Sequence, residues 1–341
     1  MLSFQNDYSE GAAPEIIEAL AKTNLESLPG YGSDQYCLAA QNRIKEVMGN
    51  PDADIFFLVG GTQTNAIAID AFLQSYQAVI SADSGHINIH EAGAIEAGGH
   101  KVIALKANNG KLEPRSLKEY LVAFYEDENH PHMAQPGMVY ISQPTELGTL
   151  YSKTELQQLH KISSEYHLPL YVDGARLGYG LSSPINDVTL KDLNELTDAF
   201  YIGGTKVGAL CGEALVFTHH NQPANFLTLV KQHGGLLAKG RLLGIQFLTL
   251  FTNDLYFKLS DNAIKTAMLI KAELKKKGYR FFIDSPTNQQ FIIIENKQYA
   301  SLKEKVRLSY WEKYDEDHIV VRICTSWATT TESVQELMRI L

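Results

Sequence analysis

Seven short apolar runs separated by turn residues limit what this chain can fold into: Asp54 to Val59, Ala78 to Ala82, Val102 to Leu105, Met138 to Ser142, Leu170 to Asp173, Ala199 to Ile202 and Ala214 to Phe217. Helical stretches such as Asn65 to Ser75, Arg115 to Glu126 and Lys153 to Tyr166 lie between them. Strands buried on both faces read as continuous apolar runs, and the helices supply the crossovers. The pattern predicts an α/β fold with a large, mostly parallel sheet. Past about Asn221 it changes. A long helical region from Gln222 to Lys258, interrupted at Gly234-Gly235, leads to a helix Asp261 to Lys277. Strands follow at Tyr279 to Ile283, Phe291 to Glu295 and Ile319 to Cys324, then a closing helix near Thr330. At 341 residues the chain exceeds one minimal core. The expected division is an N-terminal arm (1–30), a large α/β domain (31–250) and a small C-terminal α+β domain (251–341).

Composition excludes several classes. Hydrophobic residues make up 45% and charged residues 20%, as in soluble globular enzymes. A net charge of −9 argues against nucleic acid as a partner. Cys37, Cys211 and Cys324 are too scattered for a disulfide framework or a zinc site, and no metal site is predicted. The N-terminus lacks the basic and apolar regions of a signal peptide, and no stretch reaches bilayer-spanning length. The expectation is a cytoplasmic protein without a membrane partner.

Open α/β sheets bind ligands at the carboxyl ends of their strands. Asp173, Lys206 and the glycines after Val59 fall there. Asp173 ends the strand Leu170-Tyr171-Val172-Asp173, and Lys206 follows 33 residues later in the turn Gly203-Gly204-Thr205-Lys206. An acid at one strand mouth and a lysine past another suit pyridoxal 5'-phosphate (PLP). The lysine forms a Schiff base with its aldehyde, and the acid keeps the ring nitrogen protonated. Gly60-Gly61-Thr62-Gln63 opens a helix after a strand, where free N–H groups can meet a phosphate. The loop has neither the lysine of a Walker motif nor the glycine spacing and distant acid of a nicotinamide site. His86 follows a strand and can stack on the ring or relay a proton; His90 is either a supporting partner or packed. Arg176 stands three residues after Asp173, and Arg322 interrupts the apolar strand His318 to Cys324, where its fork suits a substrate carboxylate.

Taken in order, these residues resemble the fold-type-I PLP enzymes, with the aspartate aminotransferase fold, and more narrowly the threonine aldolase/β-eliminating lyase family. The matching pieces are Asn6-Asp7-Tyr8-Ser9, Tyr31-Gly32-Ser33-Asp34, Gly60 to Asn65, the His86 segment with Glu91-Ala92-Gly93, and Gln143 to Gly148. Asp173-Gly174-Ala175-Arg176-Leu177, Gly204-Thr205-Lys206 and Arg322 with Thr325-Ser326-Trp327 complete the set. The resemblance implies that Lys206 is the Schiff-base lysine, that Asp173 pairs with the ring nitrogen and that His86 stacks on the ring. It places Arg176 and Arg322 on the substrate carboxylate, Asn6 or Ser9 near the substrate, and His132 (less so His130) near its hydroxyl. It also implies a homodimer or homotetramer with shared active sites, a neighbour lending Lys231 and Lys239 or Arg241 to the phosphate. Where the better-known aldolases carry a triple glycine and an arginine, this chain reads Gly-Gly-Leu-Leu-Ala-Lys. The implied reaction is aldol cleavage of L-threonine or L-allo-threonine to glycine and an aldehyde. The alternatives are β-elimination, racemisation or transamination of a small amino acid; a regulatory protein that binds PLP without turnover is a reading of a different class.

Overall fold

The seven apolar runs assemble into one sheet. The computed structural model describes residues 1–341. After a two-residue strand β1 (Leu2–Ser3) come β2 (Asp54–Leu58), β3 (Gln77–Ala82), β4 (Lys101–Leu105), β5 (Gln135–Ser142), β6 (Leu170–Asp173), β7 (Ala199–Gly203) and β8 (Glu213–Phe217). The sheet order is β2-β8-β7-β6-β5-β3-β4. Its strands are parallel except β8, which runs against both β2 and β7. The link between β7 and β8, residues 204–212, is too short for a parallel crossover, so the chain turns back. Both faces are buried. In β5, Val139 and Ile141 enter one apolar cluster while Met138 and Tyr140 enter the other, as the two-residue strand period requires.

The C-terminal part builds a second, antiparallel sheet from β9 (Arg280–Ile283), β10 (Gln289–Glu295), β12 (Ser309–Lys313) and β13 (His318–Cys324), in the order β12-β13-β10-β9. Between these, β11 (Val306–Arg307) pairs in parallel with β1, so the first residues lie beside the small sheet. Helix α1 (Pro14–Thr23), by contrast, packs on the helix Arg241–Phe251 of the large unit.

Two elements differ from the expectation. The chain is helical over Phe226–Gln232, Arg241–Phe251 and Leu255–Lys276, so the break before the last helix comes earlier than predicted. Asn253 and Asp254 take φ of 52° and 57° there, a left-handed conformation that Asn and Asp tolerate. Ser260, which falls between the two predicted helical ranges, donates its hydroxyl back to the Tyr256 carbonyl at 2.8 Å inside the helix. The edge strand β12 was not anticipated, because its mixed Ser-Tyr-Trp-Glu-Lys is largely exposed and carries no continuous apolar run.

Candidate active site

Strands β2, β3, β5, β6 and β7 end on one edge of the sheet, and each delivers a polar group there. Between that edge and the small sheet lies a cleft of about 490 Å³, lined by Lys206, His86, His90, Arg176, Arg322, Glu146, Tyr8 and Trp311 among others. Such a volume suits a small ligand.

Asp173 closes the floor. Its Oδ2 accepts from Asn65 Nδ2 at 2.9 Å and Tyr140 OH at 2.7 Å. Its Oδ1 accepts from Tyr201 OH at 2.6 Å and the Ala175 N–H at 3.0 Å. Burial alone would push this carboxyl up; the His86 charge and these donors outweigh it and hold it below the usual carboxylate range. His86 Nδ1 lies 2.7 Å from Glu91 Oε1, and Asn65 Nδ2 donates to that same oxygen. Burial opposes the imidazolium, yet the Glu91 bond and the Asp173 charge raise His86 above its ordinary value. The Glu146 carboxylate, itself pushed up by burial, accepts from the His86 N–H at 3.0 Å and the Ser142 hydroxyl at 2.6 Å.

Lys206 is reached through the turn after β7. Burial, then the Arg176 charge, pulls its ammonium down, against Asp7, Asp173 and Glu213. Helix α2 (Gln35–Met48) and helix α3 (Gly61–Phe72) follow α1 in the chain, and α3 supplies the glycine loop. Its first internal bond runs from Thr64 N to the Gly60 carbonyl, which leaves the N–H groups of Gly61, Thr62 and Gln63 ahead of it. The Gln63 side chain is already engaged, with Val59 N and the His233 carbonyl.

Several predicted residues are placed differently. Arg176 does line the cleft, but its fork is occupied: Nε and Nη2 donate to Asp7 at 2.7 and 3.0 Å, and Asp7 is fully buried. The Arg176 and Lys206 charges hold Asp7 at about 2 against the opposing effect of burial. Arg322 keeps the better claim on a carboxylate. It donates to Gln289 Oε1 and the Gln5 carbonyl, lies 5.4 Å over the Trp311 ring, and retains a buried Nε with no partner. Asn6 Oδ1 accepts from Ser9 Oγ and Tyr8 N, so Asn6 and Ser9 close a local turn and Tyr8 faces the cleft instead. His130 and His132 form a 3-10 turn just before β5, at the opposite edge of the sheet, and His132 is exposed. They do not reach this chain's own cleft. Lys231 and Lys239 are exposed, Lys231 over the Tyr31 ring at 4.9 Å. Arg241 is spent on the Thr23, Asn24 and Glu26 carbonyls at the end of α1. His90 faces the cleft, 5.6 Å from His86 and 6.1 Å from Trp311 between ring centroids, and no hydrogen bond within the chain engages its ring. Burial and the His86, Arg322 and Arg176 charges lower it, which favours the neutral ring.

The family described as beta-eliminating lyase matches residues 4–297. The chain belongs to that family. Among curated relatives, it is 29% identical to the low specificity L-threonine aldolase of Pseudomonas aeruginosa, over 98% of this chain and 96% of that protein. It is 28% identical to the one from a Pseudomonas strain, over 98% and 95%. The solved Leishmania major threonine aldolase superposes with a TM-score of 0.95 at 42% identity, covering 100% of this chain and 98% of that one. A histidinol-phosphate aminotransferase of Clostridium acetobutylicum, at 15% identity and TM-score 0.75, shares the fold alone. The fold is that of the fold-type-I PLP enzymes, and PLP is the cofactor.

The residues fit it. Asp173 is an ionised buried carboxylate whose four hydrogen-bond donors are all neutral, which suits a protonated ring nitrogen. The buried amine of Lys206 and the unpaired N–H groups that open α3 would supply the attachment and the anion site.

Proposed function

We propose that this protein cleaves L-threonine or L-allo-threonine between Cα and Cβ to give glycine and acetaldehyde, with PLP as cofactor. Lys206 would hold the cofactor, Asp173 its ring nitrogen and the opening of α3 its phosphate. His86, supported by Glu91, would face its ring. When bound, PLP supplies the sink for the electron pair left on Cα. Arg322 binds the substrate carboxylate and so fixes the direction of the Cα–Cβ bond. A histidine must be neutral to accept the β-hydroxyl proton. His90, uncharged and with an unengaged ring, fits that role better than His86, whose Nδ1 is paired with Glu91. As the proton leaves, the Cβ–O bond becomes a carbonyl, the Cα–Cβ bond breaks, and Cα is reprotonated to give glycine.

The observation that carries this reading is the joint presence, in one cleft, of Lys206, an Arg322 with a partnerless Nε and a His90 ring close to His86 and free of hydrogen bonds within the chain. It draws support from the L-threonine aldolase relatives along the full chain. The assembly we propose is a dimer or tetramer in the cytoplasm, in which exposed Lys231 and Lys239 reach a neighbour's phosphate site. The test is incubation with L-threonine and L-allo-threonine. Acetaldehyde and glycine should appear in equal amounts, and His90→Phe should lower kcat by about 100-fold, His132→Phe serving as the comparison. Ammonia with an oxo acid, or the Cα epimers (D-allo-threonine from L-threonine, D-threonine from L-allo-threonine), in place of acetaldehyde would sink the aldolase reading.

A further inference from the structure

Glu213 is a buried carboxyl group to which the reaction above gives no part. Because β8 runs against its neighbours, its first residue stands on the edge where they end, paired with Gly203. Glu213 Oε2 accepts from the Gly204 N–H at 3.1 Å and Oε1 from the Thr205 hydroxyl at 2.8 Å. The Thr205 oxygen in turn accepts from the Gly212 N–H at 3.0 Å. The two residues so held are those immediately before Lys206.

Both carboxyl oxygens are thus engaged as acceptors, whereas a glutamine, with a single acceptor oxygen, could keep only one of these bonds in place. When ionised, a carboxyl group only 4% exposed is costly unless a cation lies near it. Its ionisable surroundings are Asp173, Tyr171, Tyr201, Tyr256 and Cys211, all acids, together with Lys206. Lys206 is the cation among them. Around the lysine, Arg176 and His86 oppose its charge, while Asp7, Asp173 and Glu213 favour it; Cys324 is also near, held as a thiol by burial.

We propose that Glu213 is a positioning residue for Lys206: its carboxyl group holds the turn that carries the lysine, and its charge favours the protonated state of the lysine nitrogen. Burial raises Glu213 to about 8, so its charge is present above that pH and lost below it. The ionised form favours a cationic nitrogen, and the neutral form favours a free amine. The inference rests on the reading of Lys206 as the cofactor lysine, but not on the substrate.

The test is a pH titration of the holoenzyme's visible absorbance, with no substrate present. In Glu213→Gln, which removes the charge and keeps one acceptor oxygen, the midpoint should move down by about one pH unit, roughly tenfold in proton affinity. Glu213→Asp keeps the charge and should stay near the parent. Thr205→Val weakens the brace but leaves the charge, and should also stay near it. A glutamine midpoint equal to the parent's overturns the proposal, as does an aspartate or valine variant displaced as far as the glutamine one. The expected shift in a protein that releases no acetaldehyde would sink the aldolase reading alone. A protein that takes up no coloured cofactor would end both.

Discussion

Arg176 and Arg322 read as equals along the chain, each an arginine closing a motif, and the structure separates them. The first neutralises Asp7; the second holds a guanidinium over Trp311 with its Nε unpartnered. Charge-assisted bonds of this kind contribute about 1.5–3 kcal/mol, and lysine cannot reproduce the fork. Arg322→Lys should therefore raise KM for L-threonine by about 10- to 100-fold and lower kcat less. Steady-state kinetics would read it, and an unchanged KM would remove Arg322 from the carboxylate. Lys206, Asp173 and His86 were legible because each sits at a strand end within a short, distinctive run. Their supports were not. Asn65 and Asp173 are 108 positions apart, Asp7 and Arg176 are 169, and no local pattern announces such a pairing. Tyr140 and Tyr201 could have been found as tyrosines on the two strands that flank β6, both directed at Asp173.

At the scale of elements, one carboxylate joins three segments. Asp7, just after β1, accepts from Arg176 beyond β6 and from Asn288 Nδ2 at 3.0 Å ahead of β10. Asp7→Asn leaves the Arg176 charge buried without its partner, a loss of about 3–5 kcal/mol. The sign with pH follows from the Asp7 carboxyl lying at about 2 when folded against 3.8 ordinarily. A lowered folded value stabilises fully above 3.8 and is lost as pH falls through about 2. The difference in unfolding free energy between parent and variant should thus be largest near neutrality and shrink between pH 4 and pH 2, roughly following that titration. Urea denaturation at several pH values would measure it. An Asp7→Asn protein as stable as the parent at pH 7 would show the pair to be dispensable. Element type was readable wherever apolar runs were long, as in β3, β5 and β7. The reversed β8 was not: its direction is set by the short link before it, not by its own residues. Nor was the helix start at Leu255, because Asn253 and Asp254 mark it by backbone conformation and not by an apolar period.

For the whole molecule, the sheet's strand ends bring Lys206, Glu146 and His86 to the cleft, and the small sheet and the N-terminal segment supply Arg322, Trp311 and Tyr8 from across it. Predicting a large α/β unit with a smaller α+β unit was enough to place the lysine and its acid. It could not show that residues 2–3 pair with β11 of the small unit, since that contact closes nearly the full length of the chain. The central claim is that one buried lysine on this edge carries the cofactor. The measurement that tests it most directly is borohydride reduction of the holoenzyme, followed by peptide mass mapping. The account predicts the reduced cofactor on the peptide containing Lys206, and none after Lys206→Ala. Label on another lysine, or none on the parent protein, would contradict it.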